Sequence, residues 1–244
     1  KKGSSPFAGI KEWAAKKSPD IKVYSGKSAA DIEADTDFIV VVAGLTAQDE
    51  GEEYNGSGDR TNLKLDNKNG NSVQDDLIKA VAALKKPMVV VLEGGAAIAM
   101  PWLNSVPAVV MAWYPGMVGG RAMANLLFGE VQLPHDNTPV GTKLSFSGKL
   151  PVSWPNDLSE LKPFNEAGRT KFYYDVGYRL YDRDNKKPLF AFGHGLSYTK
   201  FEYGDIELPC GTVDSRSVFP VNVKVKNTGS MYADEIVMVF VSFP

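Results

Sequence analysis

Cysteine is almost missing from this sequence. Cys210 stands alone among 244 residues, so no disulfide can close within the chain, and the thiol carries no information on redox compartment. Charge of one sign is missing too. Lysine and arginine total 27 against 29 aspartate and glutamate, a net charge of −2, and no basic run exceeds two residues. A nucleic-acid surface needs a clustered positive field, so no nucleic-acid partner is expected. No apolar stretch approaches the roughly 18 residues of a membrane-spanning helix, and no membrane partner is expected. Internal repeats and low-complexity tracts are lacking. The chain opens on Lys1-Lys2-Gly3 without the apolar core of a signal peptide. That start fits a fragment or a processed chain, so the missing signal does not fix where the parent protein goes.

What is present is ordinary globular composition, with 43% hydrophobic and 23% charged residues. Length suggests one or two domains with a sizeable buried core. The first half alternates short β-rich runs with helical ones. Residues 21–25 form a short candidate strand, and 37–44 (DFIVVVAG) a stronger one. The latter is continuously apolar and β-branched, as expected of a parallel strand covered on both faces. Ser72 can cap a helix, SVQDDLIKAVAALKK, with Asp75 and Asp76 at its positive end. Val73, Leu77, Ala80, Val81 and Leu84 predict its apolar face, and Pro87 stops it. Strands follow at 88–92 (MVVVL), ending at Gly94-Gly95, and at 108–113 (AVVMAW). A helix over 119–128 is closed by Gly129. This βαβ order predicts an α/β fold, a mostly parallel sheet sandwiched by helices, with functional groups at the carboxyl ends of the strands.

From about 131 to 198, prolines, glycines and aromatics replace the periodicity. Phe172, Tyr173, Tyr174, Tyr178 and Tyr181 argue for an ordered connecting segment rather than a solvated linker. After Thr199 the pattern changes again. Residues 218–226 (VFPVNVKVK) alternate apolar and polar, a turn follows at Asn227-Thr228-Gly229, and 236–241 (IVMVFV) predict a further strand. This is an antiparallel β-sandwich pattern. Such a sandwich needs about 100 residues and fewer than half of that remain, so a partial sandwich is expected.

The densest chemistry lies just past the strongest strand. Residues 47–60 read AQDEGEEYNGSGDR, with four carboxylates between positions 49 and 53. Glycoside hydrolysis needs one carboxyl to protonate the leaving oxygen and a second to act as nucleophile or base. Crowded carboxylates repel, which keeps at least one protonated near neutrality. Gly51, Gly56 and Gly58 let the backbone follow a neighbouring surface. The same residues also read as a solvated acidic loop or a weak calcium site, although the one-three-five spacing of an EF-hand is absent.

Six segments taken together carry a resemblance. VVVAGLTAQDEGEEYNGSGDRTNLKL, and then PMVVVLEGGAAIAMPWLNSVPAVVMAWYPGMVGGRAMANLLFGE, resemble the C-terminal α/β-sandwich domain of glycoside hydrolase family 3. SGKLPVSWP, VGYRLYD and PLFAFGHGLSYTKFEY follow in that family's order. VNVKVKNTGSMYADEIVMVFVSFP looks like the opening half of its fibronectin-type-III-like module. The resemblance spans nearly the whole chain and implies three regions. Residues 1–155 would be the α/β-sandwich glycosidase domain, 156–198 an ordered connecting segment, and 199–244 a partial fibronectin-III-like β-sandwich.

The family consists of exo-acting retaining glycosidases, β-glucosidases and β-xylosidases among them. The resemblance therefore implies a β-glucosidase-type hydrolase whose site is shared with an N-terminal (β/α)8 barrel that carries the nucleophilic Asp. That barrel belongs to the same parent protein or to a separate chain. In this family the acid/base Glu sits in a Ser-Gly-Glu-Gly-Tyr-like loop. Gly51 and Tyr54 match its frame and put the acid/base on Glu52. Glu50 stands where the Ser would be and Glu53 where the second Gly would be, which leaves both as rivals. Asp49, Tyr54, Asp59 and Arg60 are the implied substrate-binding or loop-ordering residues, Asp59-Arg60 reading equally as a structural ion pair. Trp113-Tyr114 reads as strand-end packing or as a sugar-stacking face. His194, in a Gly-His-Gly turn, reads as structural rather than as a general base. Residues 130–148 exceed the family's usual link to the SGKLP motif. No metal or organic cofactor is implied. The expected partner molecule is a β-glucoside or oligosaccharide, and the parent protein is expected to be secreted or periplasmic. The competing reading is a β-xylosidase, or a carbohydrate-binding or structural module without chemistry.

Overall fold

The computed structural model describes residues 3–50, 60, 62–65, 73–134, 137–161, 174–209, 216 and 218–241, the side chains of positions 47 and 48 excepted. The chain divides into two compact units, one of residues 1–124 and 151–192, the other of 125–150 and 193–244.

The first unit opens with helix α1, Pro6–Lys17. Ser5 caps it, its hydroxyl accepting from the Ala8 N–H at 3.3 Å, and Pro6 takes the first position, where no amide is missed. Strand β1 (Ile39–Gly44) follows, then the single turn α2 (Ala47–Glu50), helix α3 (Val73–Ala83), strand β2 (Met88–Glu93), strand β3 (Val109–Trp113) and helix α4 (Gly119–Leu127). The strands form one parallel sheet in the order β1-β2-β3, with Ile39 beside Met88 and Val90 beside Val109. The α/β class expected from the sequence is therefore the observed one. Residues 21–25 are not a strand: among the described residues, none forms a ladder with them.

Full cover on both faces belongs to β2, not to β1. Val90, Val91 and Leu92 have no exposed surface, whereas Val42 of β1 keeps 41% of its own. The cause is position: β2 is central and β1 lies at an edge. Helix α3 also differs from its predicted face. Ile78, Val81 and Ala82 are buried, while Val73 and Leu84 face out. The buried stripe includes Asp75, whose Oδ1 accepts from Trp102 Nε1 at 2.6 Å. That bond makes a carboxylate tolerable inside and rotates the helix away from the face an apolar count selects.

Helices α1 and α4 approach through glycine. A Cβ on Gly9 would lie 2.0 Å from the Gly120 carbonyl oxygen, so neither position admits a side chain. Glu12 and Arg121 close the crossing with an ion pair at 2.7 Å. Trp154, from the SGKLPVSWP segment, is buried with its Nε1 donating to the Ile98 carbonyl at 2.9 Å. Helix α5, Tyr178–Arg183, lies in the segment read as connecting. Tyr181 is buried there and donates to Glu160 at 2.7 Å. Tyr174 is 73% exposed, with the Arg179 guanidinium 4.4 Å from its ring centroid. Phe172 and Tyr173 lie outside the described residues.

The second unit holds an antiparallel pair, β4 (Phe201–Glu207) with β5 (Asn222–Asn227), as the partial sandwich pattern anticipated. The apolar run 236–241 is not a strand. Ile236, Val237, Val239, Phe240 and Val241 are exposed, and no described strand runs beside them. A period-two pattern alone does not make a strand without a ladder partner. The segment 130–148 is pinned by Asn125. Its Oδ1 accepts from the Gln132 and Leu133 amides at 3.0 and 3.1 Å, and its Nδ2 donates to the Leu133 carbonyl at 3.0 Å. Glu130, the first residue of that segment, is buried and pairs with Lys143 and with Gln132.

Candidate active site

The three parallel strands end side by side, and the acidic loop starts there. The Leu45 N–H donates to the Glu93 carbonyl at 2.8 Å, which carries the β1–β2 ladder one residue past β1. Thr46 then begins α2. Its amide and hydroxyl both donate to Asp49 Oδ2, at 2.8 and 2.7 Å, and its carbonyl accepts from the Asp49 and Glu50 amides. One carboxylate of the acidic cluster is thus turned back to start a helical turn.

Glu50 is turned the other way, onto the neighbouring strands. Its Oε1 accepts from the Gly95 N–H at 3.0 Å and from the Tyr114 hydroxyl at 3.0 Å. Its Oε2 lies 3.7 Å from Arg60 Nη1, and the two side chains are only 18% and 12% exposed. Arg60 Nη2 reaches the Lys64 carbonyl at 3.5 Å. One carboxylate therefore joins the segments that follow β1, β2 and β3. The approach is close enough that a Cβ on Gly95 would lie 2.9 Å from the Tyr114 ring, so a side chain there would push the ring away from Glu50. Burial, and then the hydrogen bond to Glu50, hold the Tyr114 phenol above its ordinary pKa.

A β-bulge shapes this junction. The pairing of Leu92 with Met111 shifts, so that Glu93 pairs with Trp113 and leaves Ala112 extra. Trp113 takes a left-handed φ of 53°, rare for a bulky residue, and its ring lies 6.3 Å from that of Trp154. Glu93, at the end of β2, has its carboxyl pushed up by burial. On the far side of the loop, Gln74 of α3 pairs with both backbone groups of Gly44. It accepts from the amide at 2.8 Å and donates to the carbonyl at 2.9 Å, with a further bond to the Leu65 carbonyl at 3.2 Å.

Of the residues singled out in the sequence, Asp49, Glu50 and Arg60 are described; Glu50 and Arg60 come together, while Asp49 turns back onto Thr46. Glu52, Glu53, Tyr54 and Asp59 lie outside the described residues, as do Gly51 and Ser72. Gly94-Gly95 turns into an irregular stretch and a short 3-10 turn at Leu103–Ser105. His194 belongs to the second unit, where its carbonyl accepts from the Leu150 N–H at 2.8 Å and Gly193 takes a φ of 83°. Tyr114 and Gln74 were not identified as partners of the acidic loop. The available signal was their place, one just past β3 and the other in the first turn of α3. Among the described residues, no group of three or more His, Cys, Asp or Glu side chains is placed to hold a metal ion, and no helix is long and apolar enough to cross a membrane.

A parallel sheet with a half-buried carboxylate hub at its carboxyl ends defines the class, an α/β domain. Residues 1–198 match the model of the glycosyl hydrolase family 3 C-terminal domain, and the chain belongs to that family. It is 39% identical over 212 residues to thermostable beta-glucosidase B of Acetivibrio thermocellus, covering 84% of this chain and 25% of that protein. Among solved structures it is similar to DesR, a beta-glucosidase from Streptomyces venezuelae in complex with D-glucose. That match has 35% identity and a TM-score of 0.58, over 78% of this chain and 22% of that one. The beta-glucosidase of Kluyveromyces marxianus in complex with glucose matches at 32% identity and a TM-score of 0.61, over 84% and 22%. The chain thus spans about a quarter of the length of the curated relatives it matches.

Proposed function

We propose that this chain supplies the acid/base carboxyl, Glu52, to a retaining, exo-acting β-glucosidase site completed by a (β/α)8 barrel with a nucleophilic Asp. Glu52 protonates the glycosidic oxygen while the barrel carboxylate attacks the anomeric carbon. As a carboxylate, Glu52 then takes a proton from the water that releases the sugar. Retention asks for the two carboxyls to stand about 5–5.5 Å apart. The observation that carries this reading is the root of the loop. Glu50, two residues before Glu52, is tied to the loops after β2 and β3, at the end of the sheet where α/β folds place their chemistry. Family membership and relatives named beta-glucosidases support the substrate class. The same reading makes residues 199–244 the opening of a fibronectin-III-like module and the parent protein secreted or periplasmic.

The test is Glu52→Ala in an enzyme joining this chain to its barrel. Turnover of substrates with poor leaving groups should fall by about 10²–10⁴-fold, the usual contribution of a positioned general acid. Added azide should restore part of the rate on an activated aryl glucoside and yield the β-glucosyl azide, because that nucleophile needs no general base. Unchanged turnover of alkyl glucosides, or azide rescue at Glu53→Ala instead, would reject the assignment.

A further inference from the structure

The Glu50 carboxylate has a different geometry from that of a proton donor. Its Oε1 is filled by two donors, the Gly95 amide and the Tyr114 hydroxyl, and its Oε2 faces Arg60. All three partners come from this chain, and they reach Glu50 across 45, 64 and 10 residues of sequence. Tyr114 is itself 58% exposed, so the bond to Glu50 orders a ring that packing leaves partly free. Gln74 bonds both backbone groups of Gly44, where the chain leaves β1, and the Leu65 carbonyl. Gly44, Glu50 and Arg60 are therefore each tied to a described neighbour at the carboxyl end of the sheet.

We propose that Glu50 is the positioning residue of the acid/base loop, and that Tyr114 and Arg60 act through it: the carboxylate locks the turn before Glu52 to the ends of β2 and β3 and so sets where Glu52 presents its proton. The proposal rests on Glu52 as the acid/base. Misplacing a reacting group by about 1 Å from a remote change can cost on the order of 100-fold, which gives the anchor leverage without touching substrate.

The experiment compares Glu50→Ala, Glu50→Gln and Tyr114→Phe with Glu52→Ala in the barrel-containing enzyme. Each is assayed on activated aryl, unactivated aryl and alkyl β-glucosides across pH, with thermal unfolding measured alongside. Glu50→Ala should lower kcat by about 10–100-fold, most for alkyl leaving groups, with KM little changed. It should keep the basic limb of the pH profile and gain nothing from azide. Glu50→Gln, which retains an oxygen for Gly95 and Tyr114, should recover most of that loss. Tyr114→Phe, a mild change at an exposed ring, should lose about fivefold in the same leaving-group order, the worth of one hydrogen bond. Azide rescue with loss of the basic limb in Glu50→Ala would make Glu50 the acid itself and overturn the proposal. So would losses that are equal for all leaving groups while Glu52→Ala shows its full acid/base signature. A Glu52→Ala enzyme with its basic limb intact removes the acid/base assignment, and the positioning role with it.

Discussion

Glu93 shows how a single side chain can set a pH dependence. Burial at the end of β2 raises its carboxyl above the ordinary value. In the window between its unfolded and folded pKa values the folded state holds more protons than the unfolded one. Its contribution is then fully present below the unfolded value and lost as pH rises through the folded one. Glu93→Gln removes that loss. The stability advantage of the variant over the natural chain should therefore widen as pH climbs from the carboxylate range toward neutrality, as followed by urea unfolding at several pH values. At this scale the acidic loop was only partly legible. Four neighbouring carboxylates invite a reading of mutual repulsion, yet Asp49 bends back to Thr46 and Glu50 reaches across to Gly95 and Tyr114. Partners 45 and 64 residues away leave no mark in a local pattern.

Among the elements, α3 carries the clearest lesson. Continuous β-branched runs located β1, β2 and β3 to within a residue or two, because buried parallel strands leave few other solutions. The helix was placed correctly and rotated wrongly, since Asp75 sits on its buried stripe and only a tertiary partner, Trp102, makes that acceptable. Asp75→Ala leaves the Trp102 N–H buried without this acceptor and should cost about 2–3 kcal/mol of unfolding free energy. Asp75→Asn should cost less, and denaturant titration of the pair separates the two. The run 236–241 failed as a strand for the complementary reason. Its pattern is that of a strand, but a ladder needs a neighbour, and pattern does not say whether one is present.

For the molecule as a whole, the α/β order and the antiparallel character of the C-terminal part were legible, whereas β4, the actual partner of β5, was not, because residues 201–207 carry no sustained apolar alternation that marks them as a strand. The chain holds at most one member of a catalytic carboxyl pair under the proposed function. The purified chain alone should therefore give no turnover of an aryl β-glucoside above the uncatalysed rate, measured by chromophore release. Robust hydrolysis by the chain alone would show that it carries a second carboxyl of its own. A quite different constraint comes from the bulge that leaves Ala112 unmatched. A regular strand advances about 3.3 Å per residue and alternates sides. Remove Ala112 and the ladder runs regularly, with Glu93 still beside Trp113, but the kink and added twist that the extra residue gives the strand are lost just before Tyr114. At this junction, then, a single residue of length sets the angle at which the chain leaves the sheet toward Glu50.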